Sequence, residues 1–275
     1  MKSQTNPQTN PMLVEKTILG LPIPTHRVSR VLYRHLLTWW RNYFFSSLVG
    51  TVGEAILYLF SLGLGMAHYI GVVNGIPYIE YLAAGIWMSS SMYAASFDST
   101  FGTFTRYHEQ KTFDGILCTP IQLDEIIAAE VVYAGTHGLL SATIIGVIFT
   151  LFGLIHTPLA ILIIPLGFLT GVAFSSLSLI GAAIAKNYSF FSYYFTIGIT
   201  PMFLLSGIFF PLNQLPEWAS KIAWFTPLYH AVLISRELYQ GIFSLNILFS
   251  VIWLTLFSLI CFYIAVFAFR KKLLK

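Results

Sequence analysis

Charge is scarce in this chain. Only 9% of its 275 residues are Asp, Glu, Lys or Arg, against 56% hydrophobic, and a water-soluble globule of that length could not cover itself with polar surface. Lipid must supply most of the solvent. Cysteine is nearly absent: Cys118 falls in a predicted cytosolic loop and Cys261 within an apolar run, so no disulfide is expected. No lysine follows a glycine, which excludes the GxxxxGK(S/T) phosphate loop and nucleotide hydrolysis by that route. His108 and Glu109 open like HExxH, but Thr112 stands where the second histidine belongs, and the histidines show no paired ligand spacing. GxSxG is also missing, and neither cysteine has a nearby histidine to activate it. The chain is therefore expected to have no catalytic residues, no metal site and no cofactor of its own.

What is present is apolar and periodic. A bilayer core of about 30 Å needs about 20 apolar residues per helical crossing, and six runs qualify: 44–70, 78–97, 126–151, 159–185, 190–210 and 245–269. Thirteen of the 15 lysines and arginines lie in the N-terminal segment, after the second and fourth runs, and after the sixth; only Lys221 and Arg236 lie in the alternate loops. By the positive-inside rule both termini are cytoplasmic, as an even number of crossings requires. That distribution also explains the net charge of +4 without nucleic acid. Residues 1–25 are polar and proline-bearing, without the apolar core of a signal peptide, and read as a flexible tail. In 26–43, Arg27, Arg30, Arg34 and Arg41 share one helical face while Val28, Val31, Leu32, Leu36 and Trp39 share another. This predicts an amphipathic interfacial helix, with the arginines at anionic headgroups and Trp39 and Trp40 at the acyl boundary; a cytosolic helix packed on a partner is the alternative.

Three polar features interrupt the apolar pattern. Glu54 lies about ten residues into the first run, where an isolated carboxylate costs roughly 2.5–3.5 kcal/mol; it either faces a translocation path or bonds to a neighbouring helix end. Residues 106–130 form a charged connection with a short helix ended by Thr119 and Pro120. That connection is either a lever for a motor subunit or a solvated hairpin. Prolines 211, 216 and 227 break 211–241 into pieces whose Trp218, Trp224, Phe225 and Tyr229 would dip back toward the bilayer. Re-entrant half-helices or an ordinary external loop both fit. Small residues (Gly167, Gly171, Gly181, Ala182, Ala183, Ala185) predict close helix packing.

The stretches 54–65 (EAILYLFSLGLG), 97–121 and 187–241 together resemble the permease subunits of type-2 ABC exporters, in the nodulation protein J branch associated with lipo-oligosaccharide export. The similarity runs from about Arg27 to Lys272. It implies an all-α membrane protein: six transmembrane helices, the interfacial helix, a re-entrant hairpin at 211–241 (Pro211, Pro216, Trp218, Pro227) between helices five and six, and both termini cytoplasmic, within one domain at 26–272. It implies a bacterial inner-membrane half-transporter paired with a second copy, most simply as a homodimer. Two copies of a separate ABC ATPase subunit would bind ATP and Mg below it. The loop at 106–121 becomes the coupling element, with Arg106, Glu109, Lys111, Asp114, Thr119 and Pro120 as coupling residues. Glu54, Tyr193 and Tyr194 become translocation-path candidates. The implied substrate is amphipathic (a lipid-linked saccharide, glycolipid or lipid), with hydrophobic drugs, long polysaccharide and a non-transporting scaffold as alternatives. Ala55 departs from the proline expected after Glu54.

Overall fold

The computed structural model describes residues 26–42, 53, 56–73, 75–212 and 216–273. The tail at 1–25, the start of the first apolar run, Glu54 and Ala55 lie outside the described residues. Helix α1 (Val28–Asn42) buries Val31, His35 and Trp39, residues four apart that therefore stand in one row along the helix. After the apolar helix α2 (Ile56–Ile70), a hairpin pairs β1 (Val72–Val73) with β2 (Ile76–Pro77). Gly71 and Gly75 take positive φ at this reversal (69° and 82°), a conformation open to glycine at little steric cost.

Helix α3 (Tyr78–Phe97) is the centre of the bundle. From Tyr81 to Met92 every residue is buried. Its chain continues in two wide π-helical turns, Asp98–Gly102 and Thr105–Glu109, and then breaks at Lys111, which takes φ 53°. A short helix α4 (Thr112–Leu117) follows. The long α5 (Leu123–Leu151) opens on a capping box in which the Gln122 N–H donates to Glu125 Oε2 at 2.8 Å. Then come α6 (Pro158–Ile184), α7 (Ser189–Leu205), α8 (Glu217–Trp224), α9 (Pro227–Tyr239) and α10 (Leu245–Leu273). α7 is not a regular rod: a π-helical stretch, Tyr194–Ile199, precedes Pro201. Proline has no N–H for the carbonyl one turn back, so local widening there has a covalent cause.

Among the described residues, α5, α6 and α10 are long and apolar enough to cross a membrane, while α2 and α7 are apolar but shorter. Helix α10 shows how the bundle is solvated. Ile247, Leu254, Cys261, Ala265 and Phe269 face inward, whereas Leu245, Leu248, Phe249, Ile252, Leu256, Leu259, Ile260, Tyr263 and Ile264 form a continuous exposed stripe. Water would not tolerate so large an apolar strip, and lipid does. Both cysteines are free, Cys118 exposed and Cys261 buried.

The expected GxxxG pair sits at the tightest helix contact. A Cβ added at Gly167 would stand 2.4 Å from the Ala142 Cβ and 2.9 Å from the Gly138 carbonyl; one at Gly138 would stand 2.5 Å from the Gly167 carbonyl. α5 and α6 thus touch backbone to backbone. Replacing Gly138 by alanine should destabilise the detergent-solubilised protein by about 1–3 kcal/mol, while Gly65→Ala, which meets nothing within 4 Å, should not. Thermal unfolding of the two variants checks this; equal midpoints would remove the contact as a constraint.

Candidate functional site: a buried ion-pair junction beneath an exposed charged segment

One end of the bundle, where α3, α6 and α10 finish and α5 begins, is polar inside. Arg106 is at its centre. Its Nε donates to Glu130 Oε1 at 3.0 Å and its Nη2 to Glu130 Oε2 at 2.5 Å, a forked pair; the guanidinium also reaches Asp98 at 3.1 and 3.4 Å. Thr103 donates its hydroxyl to Glu130 at 3.0 Å and accepts from Arg106 at 3.1 Å. Glu130 is 1% exposed. A guanidinium presents a planar fork that fits a carboxylate, and two carboxylates around one arginine let each partner stay charged away from water. Burial opposes the charge on Arg106, yet Asp98 and Glu130 outweigh it and hold its pKa above the ordinary value. Burial likewise works against the Asp98 carboxylate, but the Arg106 charge prevails and keeps its pKa below the usual value.

Helix α1 closes the junction from the side. His35 is buried at 4% exposure, its Nε2 3.4 Å from Glu130 Oε1, and its ring lies 5.2 Å from Tyr133. Trp39 packs edge-on against His137 at 5.1 Å. The row Val31, His35 and Trp39 of α1 thus meets the row Glu130, Tyr133 and His137 of α5, each set on one helical face. At its other end Arg27 donates to the Pro120 carbonyl, tying α1 to the connection that carries α4. α1 therefore touches both α5 and the connection that carries α4.

Two further polar ties finish this end. The Arg270 guanidinium grips Asp124 through Nε at 2.8 Å and through Nη2, so the end of α10 is fixed to the start of α5. Lys272 donates to the Ala185 carbonyl at 2.8 Å and to the Tyr107 hydroxyl at 2.7 Å, the favourable place for a cation at a helix C-terminus. Tyr107 in turn donates to the Ala182 carbonyl at 3.0 Å, and burial raises its pKa to about 12.

Against this packed floor, the side chains that could meet a partner stand out on and around α4. Glu109, Lys111, Asp114, Thr119 and Pro120 are all exposed, while Phe113 is fully buried and anchors the helix against Tyr107 and Phe269. Arg106, named with them from the sequence, turns inward: it positions the segment rather than presenting itself. The sequence also treats 106–130 as one connection, whereas α5 begins at Leu123 and places Glu130 inside the bundle. A carboxylate two turns into an apolar helix was the signal for this pairing. His35 and Trp39 are a second correction: the tryptophan expected at the acyl boundary packs on α5, and Tyr33, Leu37 and Trp40 form the exposed apolar face instead. Arg30, Arg34 and Arg41 are exposed.

The remaining expected positions scatter. Tyr193 is 67% exposed, and Tyr194 turns inward with its hydroxyl 2.9 Å from that of Ser178. Pro211 and Pro227 are buried, while Pro216 and Trp218 are exposed at the start of α8. Glu54 lies outside the described residues. Among the described residues no cluster of three or more His, Cys, Asp or Glu side chains could hold a metal ion.

The bundle thus combines an apolar outer stripe, an exposed charged segment at 109–120 and an interior ion-pair junction. Residues 26–239 match the ABC-2 type transporter family. The chain belongs to that family. It is 32% identical over 246 residues to nodulation protein J of Rhizobium leguminosarum bv. viciae, covering 87% of this chain and 95% of that one. It is 31% identical over 255 residues to nodulation protein J of Bradyrhizobium diazoefficiens, covering 93% and 97%. With the inner membrane transport permease YadH of Escherichia coli it shares 26% identity over 226 residues, 78% and 85% of the two chains. As an ABC-2 permease it is a membrane-embedded transport subunit of a family whose members normally partner with an ATPase subunit.

Removing one member of a buried ion pair strands the others, at a cost of about 3–5 kcal/mol, so Arg106→Leu should lower the unfolding midpoint strongly while the exposed Glu109→Ala should shift stability by less than about 0.5 kcal/mol. Burial lowers the pKa of His35 below 6.5, Glu130 opposing and Arg106 and Arg34 adding to the effect. The buried ring therefore favours its neutral form: the docked state of α1 has its full stability above 6.5 and loses it as pH falls through the lowered pKa. Hydrogen exchange of residues 28–42 should thus rise, beyond its intrinsic pH dependence, between about pH 7.5 and about pH 5.5, and His35→Gln should flatten the change; a profile identical in wild type and variant would contradict it.

Proposed function

We propose that this chain is the permease subunit of an ATP-driven exporter that moves an amphipathic substrate, such as a lipid-linked saccharide, glycolipid or lipid, across or out of the bacterial inner membrane. The observation that carries it is the 106–120 segment around α4: a surface bearing the exposed Glu109, Lys111 and Asp114, anchored through Phe113, Arg106 and the Pro120 carbonyl to three separate parts of the bundle. A solvated hairpin has no need of such anchoring. A docking helix does, because a push on a loosely attached loop would be absorbed locally rather than passed on.

In this reading the polar end faces the cytoplasm, the chain crosses the membrane six times with both termini inside, and 211–241 forms the outer re-entrant hairpin. The distribution of lysine and arginine supports that orientation. Glu109, Lys111, Asp114, Thr119 and Pro120 meet a separate ATPase, which binds ATP and Mg. Two permease copies pair so that two ATPase subunits closing beneath them act on both α4 helices together. The exposed Tyr33, Leu37 and Trp40 of α1, beside Arg30, Arg34 and Arg41, suit an anionic membrane surface. The amphipathic substrate is suggested by the resemblance to the nodulation protein J branch associated with lipo-oligosaccharide export and by exposed aromatic side chains such as Tyr193 and Phe97, a residue type that suits both sugar faces and acyl chains.

Co-purification with the ATPase should fall at least about tenfold in the Glu109→Ala/Asp114→Ala double variant, equivalent to about 1.4 kcal/mol, with the unfolding midpoint unchanged. Undiminished association would remove α4 as the docking helix. ATPase activity of the reconstituted complex should rise with the transported lipid class, and a flat response across saccharide-bearing and plain lipids would count against export of an amphipath.

A further inference from the structure

At the opposite, proline-rich end, a recess of about 290 Å3 opens between α3, the turn after α7, and α9; Tyr81, Ser206, Tyr229, Arg236, Glu237 and Gln240 are among its lining residues. Arg236 is its chemically unusual member. Its Nη2 donates to the carbonyls of Gly207 at 2.5 Å and Ile208 at 3.4 Å, and its guanidinium lies over the Tyr81 ring, 3.7 Å from the centroid. Among the described residues its buried Nε has no hydrogen-bond partner. Among the described residues Arg236 forms no ion pair. The adjacent Glu237 accepts instead from the Ser244 hydroxyl at 2.5 Å.

This is the reverse of the arrangement at the polar end. There, Arg106 is matched by two carboxylates and Arg270 by one. Carbonyl dipoles and an aromatic face hold a guanidinium in place, but they carry no net negative charge, and a desolvated cation is strongly favoured when an oxyanion completes its shell. The fork of an arginine suits phosphate in particular. The Tyr229 hydroxyl and the Gln240 amide offer further donors around it, whereas the Ser206 hydroxyl already donates to the Phe203 carbonyl at 2.8 Å. The volume suits a headgroup rather than a whole lipid, and Phe210, beside the lining Pro211, is 49% exposed, an apolar surface on which a chain could lie.

We propose that this recess receives the phosphate-bearing headgroup of an amphipathic lipid, with Arg236 as its anion receptor. The identity of that lipid as cargo rests on the export reading; the binding does not. The position of the recess, against α9 and the 206–212 turn, places the headgroup where the 211–241 hairpin would meet a substrate leaving the bundle.

The test uses the full chain in detergent and measures binding of dihexanoyl phosphatidic acid, of dihexanoylglycerol, which lacks the phosphate, and of inorganic phosphate. Wild type should bind the phosphatidic acid at least about tenfold more tightly than the diacylglycerol. Arg236→Gln should abolish that preference and Arg236→Lys should retain part of it. Because Arg236 also holds the Gly207 and Ile208 carbonyls, Gln240→Ala provides a second variant, which should weaken phosphatidic acid binding several-fold if Arg236→Gln does not fold. Equal affinity for the two lipids, or affinity unchanged in Arg236→Gln or, where that variant does not fold, in Gln240→Ala, would overturn the proposal. So would displacement of the lipid by inorganic phosphate at comparable concentration, which would mean a free-anion site. The readout needs neither ATPase nor transport, so its failure leaves the export reading standing, and loss of ATPase docking leaves this binding intact.

Discussion

Glu130 cannot be left alone. A carboxylate with 1% exposure inside an apolar helix is tolerable only while Arg106 and Thr103 occupy its oxygens, and Arg106 in turn needs Asp98 to balance its remaining donors. These residues come from the end of α3, the connection beyond it and the interior of α5, so satisfying one charge fixes three pieces of chain relative to one another. α1 then has a defined surface to dock on, with His35 over Glu130 and Trp39 against His137. Buried ion pairs are poor sources of net stability compared with apolar packing. They are good at specifying one arrangement, because every alternative strands a charge.

That specificity gives the exposed helix its mechanical meaning. α4 is only six residues long and could not be stable alone; its rigidity is borrowed from Phe113 below it, from Arg27 at the Pro120 carbonyl and from the Arg106 junction. In the proposed coupling, displacement at the exposed Glu109 to Pro120 surface passes to α1 and α5 together. From α5 it passes to α6 through the Gly138–Gly167 backbone contact and to α10 through Asp124–Arg270. The two ends of the molecule differ in kind: Arg106 and Arg270 at the polar end are matched by carboxylates, while Arg236 at the other end is held by carbonyls and a ring.

Much of the bundle was legible in the sequence because lipid imposes a crude rule, about 20 apolar residues per crossing, that apolar runs obey visibly. The boundaries at 78 and 97 for α3 and the start of α10 at 245 follow it directly. The GxxxG pair was legible for the same reason, since only close backbone approach uses glycine at that spacing. The junction was not. Glu130 and Arg106 are 24 residues apart, and linear reading assigns both to a charged connection; only the capping box at Gln122 and Glu125, which starts α5 early, carries Glu130 into the interior. His35 was hidden among arginines, and the face of α1 that meets α5 could not be told from the face that meets lipid because both carry tryptophan. Arg236 was legible as one of two basic residues in the alternate loops, but its want of a counterion among the described residues is a property of three-dimensional neighbours.

The account turns on α1 and α4 moving as one body on the buried junction. Spin labels at Leu37, 51% exposed on α1, and at Gly115, exposed on α4, with Cys118 replaced by serine, allow their separation to be measured by pulsed electron resonance in the ATPase-bound complex. The distance distribution should be the same with and without ATP. A separation that shifts or broadens when ATP binds would show that α4 moves independently of α1, and would contradict the account.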